Sequence, residues 1–171
     1  ENGAITLKTR KGLDWTAKFG FAIPTAASQL PNCLIDGEIV ALDHRGSPDF
    51  AGLQAALSEG KTDDLIFFAF DLLAFEDFDL RAVPLLERRK LLPEIVPKLG
   101  AVRGLDFIPR EGELMFREVT KLGLEGIVAK KAQSTYFAGR SANWLKIKAA
   151  RTGDFVIVGY TQPKGTRSFI G

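Results

Sequence analysis

The sequence predicts an α+β domain in which antiparallel sheets are flanked by helices, and three observations carry that prediction. Residues 124–148 hold two strand-like runs, Glu125-Gly-Ile-Val-Ala-Lys130 and Trp144-Leu-Lys-Ile-Lys148, joined by a polar loop with a turn-prone Ser141-Ala142-Asn143. Residues 65–75 form an unbroken apolar run, as expected of a strand covered on both faces. Between such runs lie windows with apolar residues at helical spacing, at 49–57, 84–95 and 111–122. No internal repeat or low-complexity tract interrupts them.

Taken in order, residues 4–10 alternate apolar and polar and predict a half-buried strand, turned by Lys11-Gly12. Residues 24–30 predict a short helix with Pro24 in its first turn. A strand over 34–42 ends at the turn signals Asp43-His-Arg-Gly-Ser-Pro48. Its alternation sets Asp36 and Glu38 on one face and Ile35, Gly37 and Ile39 on the other. Two acids in an apolar strand are either an exposed face or one wall of a polar ligand site. Asp49 is placed to cap the next helix, with Phe50, Leu53 and Leu57 on one stripe. Within 65–75, Phe68, Phe70 and Leu72 share a predicted face and Asp71 points oppositely, needing a partner if buried. The 84–95 helix presents Glu87-Arg-Arg-Lys90 as a solvated face and is bracketed near its end by Pro93 and Pro97. A strand at 105–108 precedes the 111–122 helix, on which Met115, Val119 and Leu122 align before Gly123 ends it. Residues 154–160 read as a fresh strand after a connector, so a domain boundary is expected near 150.

Composition narrows the chemistry. With 171 residues the chain can bury one sizeable core. One Cys and one His within the chain exclude an intrachain disulfide, a His/Cys zinc site and a Cys-His dyad. Cys33, before an apolar run, is expected to be a small buried thiol. No apolar run approaches membrane-spanning length, and residues 1–5 lack the features of a signal peptide, so no membrane partner and a cytoplasmic location are expected. The net charge of +2 permits a nucleic-acid partner without arguing for one.

The 124–148 hairpin carries the strongest chemical signal. Strand alternation puts Lys146 and Lys148 on one face and turns Leu145 and Ile147 towards a core. Glu125 opens the other strand beside Gly126, where a ligand or another backbone can approach closely. One carboxylate and two same-face lysines suit a phosphate and its metal ion; a solvated lysine face is the plainer alternative.

Four segments in order resemble the motifs of the covalent nucleotidyltransferases, the superfamily of ATP-dependent DNA ligases and mRNA-capping enzymes. Asp36-Gly-Glu38 resembles motif III, Phe70-Asp71 motif IIIa, Glu125-Gly-Ile-Val-Ala-Lys130 motif IV and Leu145-Lys-Ile-Lys148 motif V. Thr9-Arg-Lys-Gly-Leu-Asp-Trp-Thr16, Leu124-Glu-Gly-Ile-Val128 and Gly139-Arg-Ser-x-x-Trp-Leu-Lys146 are similar to the ligase module of bacterial DNA ligase D. The resemblance implies an ATP-grasp-like adenylation domain over 1–149, then a linker and the first strand of an OB-fold over 150–171. It implies an enzyme of bacterial nonhomologous end joining, cytoplasmic and nucleoid-associated. ATP would serve as AMP donor, with Mg²⁺ or Mn²⁺. Nicked or broken duplex DNA would be the substrate, and end-joining proteins or fused polymerase and nuclease modules would be partners.

For the residues, the resemblance implies that Lys146 and Lys148 neutralise the α-phosphate and that Glu125 holds the metal ion. Glu38 would accept from the ribose, Phe70 would stack on adenine, and Arg10, at the motif Ia position, would contact the nick phosphate. Asp36, Asp71 and Gly126 fall to supporting architecture, while Arg140 and Trp144 lie beside the site. The family's nucleophile sits in a Lys-x-Asp-Gly-x-Arg motif, which is absent from these 171 residues; Lys8 and Lys11 lack the Asp-Gly that should follow. Alone, the chain is therefore expected not to form lysyl-AMP, being either part of a longer ligase or a relative that binds without catalysing. RNA ligation and capping are the alternative enzymatic readings.

Overall fold

The long apolar run becomes the spine of the molecule, in a computed structural model that describes residues 4–139 and 141–149. Strand β1 (Cys33–Val40) pairs antiparallel with β2 (Ile66–Phe75) along its whole length. The other edge of β2 is shared by the short antiparallel β3 (Phe78–Asp79) and the parallel β4 (Val102–Gly104). A separate two-stranded antiparallel sheet holds β5 (Gly126–Lys130) and β6 (Trp144–Lys148). Helices α1 (Ala22–Ala27), α2 (Phe50–Glu59), α3 (Leu85–Ile95) and α4 (Gly112–Lys121) complete the α+β arrangement. One core gathers Ile23 of α1, Ala69 and Leu72 of β2, Leu92 of α3 and Val102 of β4, so burial of apolar area fixes α1 and α3 over one face of the larger sheet.

Local chemistry explains several boundaries. The Asp49 carboxylate accepts from the Gly52 N–H at 3.0 Å and caps α2, which stops at Gly60 in the left-handed region (φ 69°). Leu53 and Leu57 pack on the core as expected, but Phe50 at the first turn is exposed. Helix α3 starts after Pro84 with no side-chain cap, and its first two N–H groups donate instead to Ser134 O and Ala132 O, both at 2.9 Å. Pro93 lies inside the helix, in its last turn, where few later residues depend on its geometry.

Other expectations need correction. Residues 4–10 form no strand; a single bridge joins Lys8 and Asp14 across the Lys11-Gly12 turn. The strand expected at 105–108 lies earlier, as β4, and Leu105, Phe107 and Ile108 are exposed. On α4 only Val119 is buried, while Met115 and Leu122 face outward. Cys33 is half-buried and packs at the core margin. The strand expected at 154–160, the boundary near 150 and Arg140 lie outside the described residues.

The largest correction concerns β2. Its register passes from Asp36↔Asp71 to Gly37↔Ala69 and so skips Phe70; a second shift skips Leu73. The bulge keeps Ala69 and Leu72 facing the core and brings Phe70 and Asp71 to the side of Asp36 and Glu38, instead of opposing them. Asp71 is fully buried and finds the partner it requires in Arg88 of α3. The guanidinium donates to both carboxylate oxygens at 2.8 and 2.7 Å, and the Leu72 N–H adds a third bond at 2.9 Å. Neighbouring Arg89 donates to the carbonyls of Phe70 and Leu105. The face read as solvated thus holds two buried arginines, because a bulged strand presents a carboxylate and a carbonyl to donors from α3.

Breaking one side of this pair leaves an uncompensated buried charge, so Arg88→Met is expected to cost about 3–5 kcal/mol of unfolding free energy. The double variant Asp71→Leu/Arg88→Met should recover much of that loss. Urea unfolding measures both, and an Arg88→Met midpoint equal to that of the wild type would show that the pair bears no load.

Candidate functional site

Pairing of β5 with β6 sets Val128 opposite Lys146, Gly126 opposite Lys148 and Lys130 opposite Trp144, so one face of the hairpin carries Lys130, Trp144, Lys146 and Lys148. Glu125 precedes β5, and its carbonyl accepts from Ala149 N at 2.8 Å, holding the residue at the strand end. Its carboxylate lies 2.8 Å from Lys146 Nζ and 3.8 Å from Lys148 Nζ. The hydrogen bond and charge of Lys146, helped by Lys148, hold the Glu125 carboxyl below its ordinary range. All three side chains are more than half exposed, so these contacts contribute little to stability. Two ammonium groups around one carboxylate leave a local excess of positive charge, an arrangement suited to a multiply charged anion.

Gly126 serves the close approach of a backbone. It sits at φ 144°, and a Cβ there would run into the carbonyl of Ile147. Leu145 and Ile147, expected in a core, are 55 % and 41 % exposed. This sheet has two strands and α4 packs against β5, which leaves the β6 side of that face open among the described residues.

Deeper in, the hairpin meets β2. Lys130 Nζ lies 3.8 Å from the centroid of Phe70 and 3.7 Å from that of Trp144, and the two rings meet edge-on at 5.9 Å and 74°. The ammonium nitrogen is buried and has no hydrogen-bond acceptor. Burial pushes Lys130 down to about 8 from an ordinary 10.5, with Asp71 opposing that fall, Arg89 adding to it, Asp36 opposing and Arg88 adding. Tyr136 stands edge-on to Trp144 at 6.3 Å and donates its hydroxyl to Asp36 at 3.2 Å. Desolvation raises the Asp36 carboxyl against the pull of that hydrogen bond and of Lys130. Asp36 is thus held, partly buried, by Tyr136 beside Lys130.

Glu38 stands apart from this network. With Val40, Leu42, Pro48, Phe68 and Phe70 it lines a cavity of about 270 Å³. Phe70 is the residue that joins the cavity to the hairpin. Gly37 between the two acids makes room for the Phe67 ring, which would collide with a Cβ there. Arg10 lies in the exposed turn between Lys8 and Asp14, and no ion pair among the described residues ties it to the cleft. No group of three or more His, Cys, Asp or Glu side chains that could hold a metal ion occurs among the described residues. A single carboxylate, Glu125, fits a hard divalent ion only where phosphate oxygens or waters complete the coordination.

Lys130, Tyr136 and Arg89 have larger roles than the sequence suggested. Lys130 was detectable in principle, since the alternation of β5 sets it on the face of Lys146. Tyr136, beside Phe137 in the loop between β5 and β6, leaves no periodic signal.

Lys130 gives a pH test. An unfolded chain holds this proton to about 10.5 and the folded chain releases it near 8, so between these values the unfolded state binds more protons and stability rises with pH. Wild type is expected to gain on the order of 1–2 kcal/mol over Lys130→Met across that window, after discounting for partial exposure. Urea unfolding at pH 7.5 and 10 measures the difference; parallel behaviour of the two proteins would contradict it.

Comparison with known proteins identifies the family. The model of the ATP dependent DNA ligase domain matches residues 1–148. The multifunctional non-homologous end joining protein LigD of Pseudomonas aeruginosa is 39% identical over 179 residues, covering 100% of this chain and 21% of that protein. DNA ligase C of Mycobacterium tuberculosis is 33% identical over 184 residues, covering 98% of this chain and 51% of that one. The crystal structure of the ligase domain from M. tuberculosis LigD superposes with a TM-score of 0.73 at 33% identity, over 85% of this chain and 47% of that one. A mycobacterial DNA ligase D complexed with ATP and MES matches with the same score. The chain thus spans about a fifth of the first of these relatives and about half of the solved ligase domain. With a family model matched over most of its length, this chain belongs to the ATP dependent DNA ligase domain family.

Proposed function

We propose that the chain is the adenylate-handling part of an ATP-dependent DNA ligase of bacterial nonhomologous end joining, sealing 5′-phosphate/3′-hydroxyl nicks and breaks in duplex DNA. The observation that carries this reading is the exposed trio of Glu125, Lys146 and Lys148, with separations of 2.8 and 3.8 Å, on the hairpin face that meets Phe70. Two cations that do little for stability are placed where a charged ligand gains from them.

In the proposed reaction a lysine amine attacks the α-phosphorus of ATP, forming a P–N bond and expelling pyrophosphate. AMP then passes to the DNA 5′-phosphate, and the 3′-hydroxyl attacks that phosphate and releases AMP. The nucleophile's motif is not in this sequence, so these residues act by positioning and charge. Lys146 and Lys148 neutralise the phosphate oxygens as charge gathers on them. Glu38 accepts from the ribose hydroxyls, Phe70 offers its ring to adenine, and Arg10 meets the nick phosphate as a charge-assisted donor. Glu125 would be the protein ligand of Mg²⁺ or Mn²⁺, which when bound with ATP draws charge from the phosphates. On this reading residues 1–149 form the adenylation domain and 150–171 a linker with the first strand of an OB-fold. The relatives termed multifunctional end-joining proteins support fused polymerase or nuclease modules as companions.

In the intact ligase, Lys146→Ala is expected to slow sealing of a nicked duplex at least a hundredfold. Its melting temperature should stay within a degree or two of the wild type. Glu125→Gln should behave alike. A gel assay of sealed and adenylated strands, run on DNA and on RNA nicks, measures the effect and the substrate preference. Near-normal sealing by either variant would remove these residues from the site.

A further inference from the structure

We infer that Lys130 is a positioning residue for the nucleobase platform: its ammonium, wedged between Phe70 and Trp144, fixes the Phe70 ring and takes one of its faces, so that a base stacks only on the other. The inference rests on the proposed reading of Phe70 as the adenine platform.

The geometry is unusual for a lysine. An ammonium group ordinarily keeps water or a carboxylate within hydrogen-bond distance, and leaving it buried without either is costly. Here Nζ is buried, has no acceptor, and lies 3.8 and 3.7 Å from two ring centroids. Two π faces supply what solvation the cation retains, each worth more where water is excluded. In return the cation holds both rings. Phe70 comes from the larger sheet, whereas Trp144 and Lys130 come from the hairpin. The wedge therefore sets the platform relative to the strand that carries Lys146 and Lys148.

Phe70 needs such a device because it is the residue skipped at the β1–β2 register shift, where the ladder does not hold it. Trp144 packs against it in a T-shaped arrangement at 5.9 Å, and Lys130 covers a face. The ring also lines the cavity that contains Glu38. A base entering that cavity finds one free π face at a fixed angle, and its sugar is then directed towards Glu38. With a neutral side chain at 130, Phe70 and Trp144 lose the charge that orients them, and the bound base loses its register.

The test separates base recognition from phosphate binding and from folding. Calorimetric titration of the full chain uses ATP and inorganic tripolyphosphate as the two probes, on wild type, Lys130→Met, Lys130→Arg and Phe70→Ala. Lys130→Met should weaken ATP about tenfold and leave tripolyphosphate within twofold; Lys130→Arg, which keeps a cation on the rings, should stay within threefold for ATP. In a Trp15→Phe background, the emission maximum of Trp144 should shift in Lys130→Met and not in Lys130→Arg. Equal weakening of both probes, unchanged ATP affinity in Lys130→Met, or an unmoved Trp144 spectrum would overturn the inference. If Phe70→Ala weakens ATP and Lys130→Met does not, the inference alone fails. If Phe70→Ala leaves ATP binding unchanged, or the wild type binds no ATP, the platform reading fails and takes the inference with it.

Discussion

A carboxylate sealed from water beneath a strand irregularity holds the molecule's working parts in place. Asp71 is wholly buried, and the two-pronged contact from Arg88, with the Leu72 N–H, makes its charge tolerable there. The same shift in pairing frees the carbonyl of Phe70, which Arg89 takes. Adjacent residues of α3 thus grip adjacent residues of β2. The turn that starts α3 is in turn capped by the carbonyls of Ala132 and Ser134, from the loop that joins β5 to β6. The ion pair and these two backbone bonds together tie the larger sheet, the helix and the hairpin's connecting loop into a common frame.

On that frame the cleft divides into a dry floor and a wet mouth, and the two obey different energetics. At the floor, Lys130, Asp36 and Asp71 sit where water is scarce, and each charge matters to folding. At the mouth, Glu125, Lys146 and Lys148 are screened by solvent and are nearly free of structural duty. Groups that ligand phosphates displace can be rearranged at the mouth at little cost to the fold. The groups proposed to define where a base lies are buried below.

Much of this was legible in the sequence. The length of β2, the Asp49 cap, the hairpin face bearing Lys146 and Lys148, and the need of Asp71 for a partner all follow from local pattern and the cost of burying charge. What escaped was non-local. A bulge changes which way Phe70 and Asp71 face, yet leaves no mark on the alternation of an all-apolar run. Arg88 and Arg89 look like helix surface until a strand carboxylate and carbonyl stand opposite them. The exposure of Leu145 and Ile147 depends on how many strands the sheet has, which their own spacing does not encode. Lys130 read as the charged end of a strand, because its two rings come from residues 70 and 144.

Among the described residues the hairpin and the larger sheet share no backbone ladder; side-chain contact joins them, the loop 131–136 adds hydrogen bonds to Arg81 and to the start of α3, and the chain itself passes from one to the other through α4. They are therefore separate cooperative units for local unfolding. Amide protons inside β5 and β6 are expected to exchange through an opening that leaves those of β2 protected. On the proposed reading, a nucleotide held by Glu38 and Phe70 at one end and by Lys146 at the other would span both units. Its binding energy then appears as slowed exchange in the hairpin, where opening would break the ligand's own contacts.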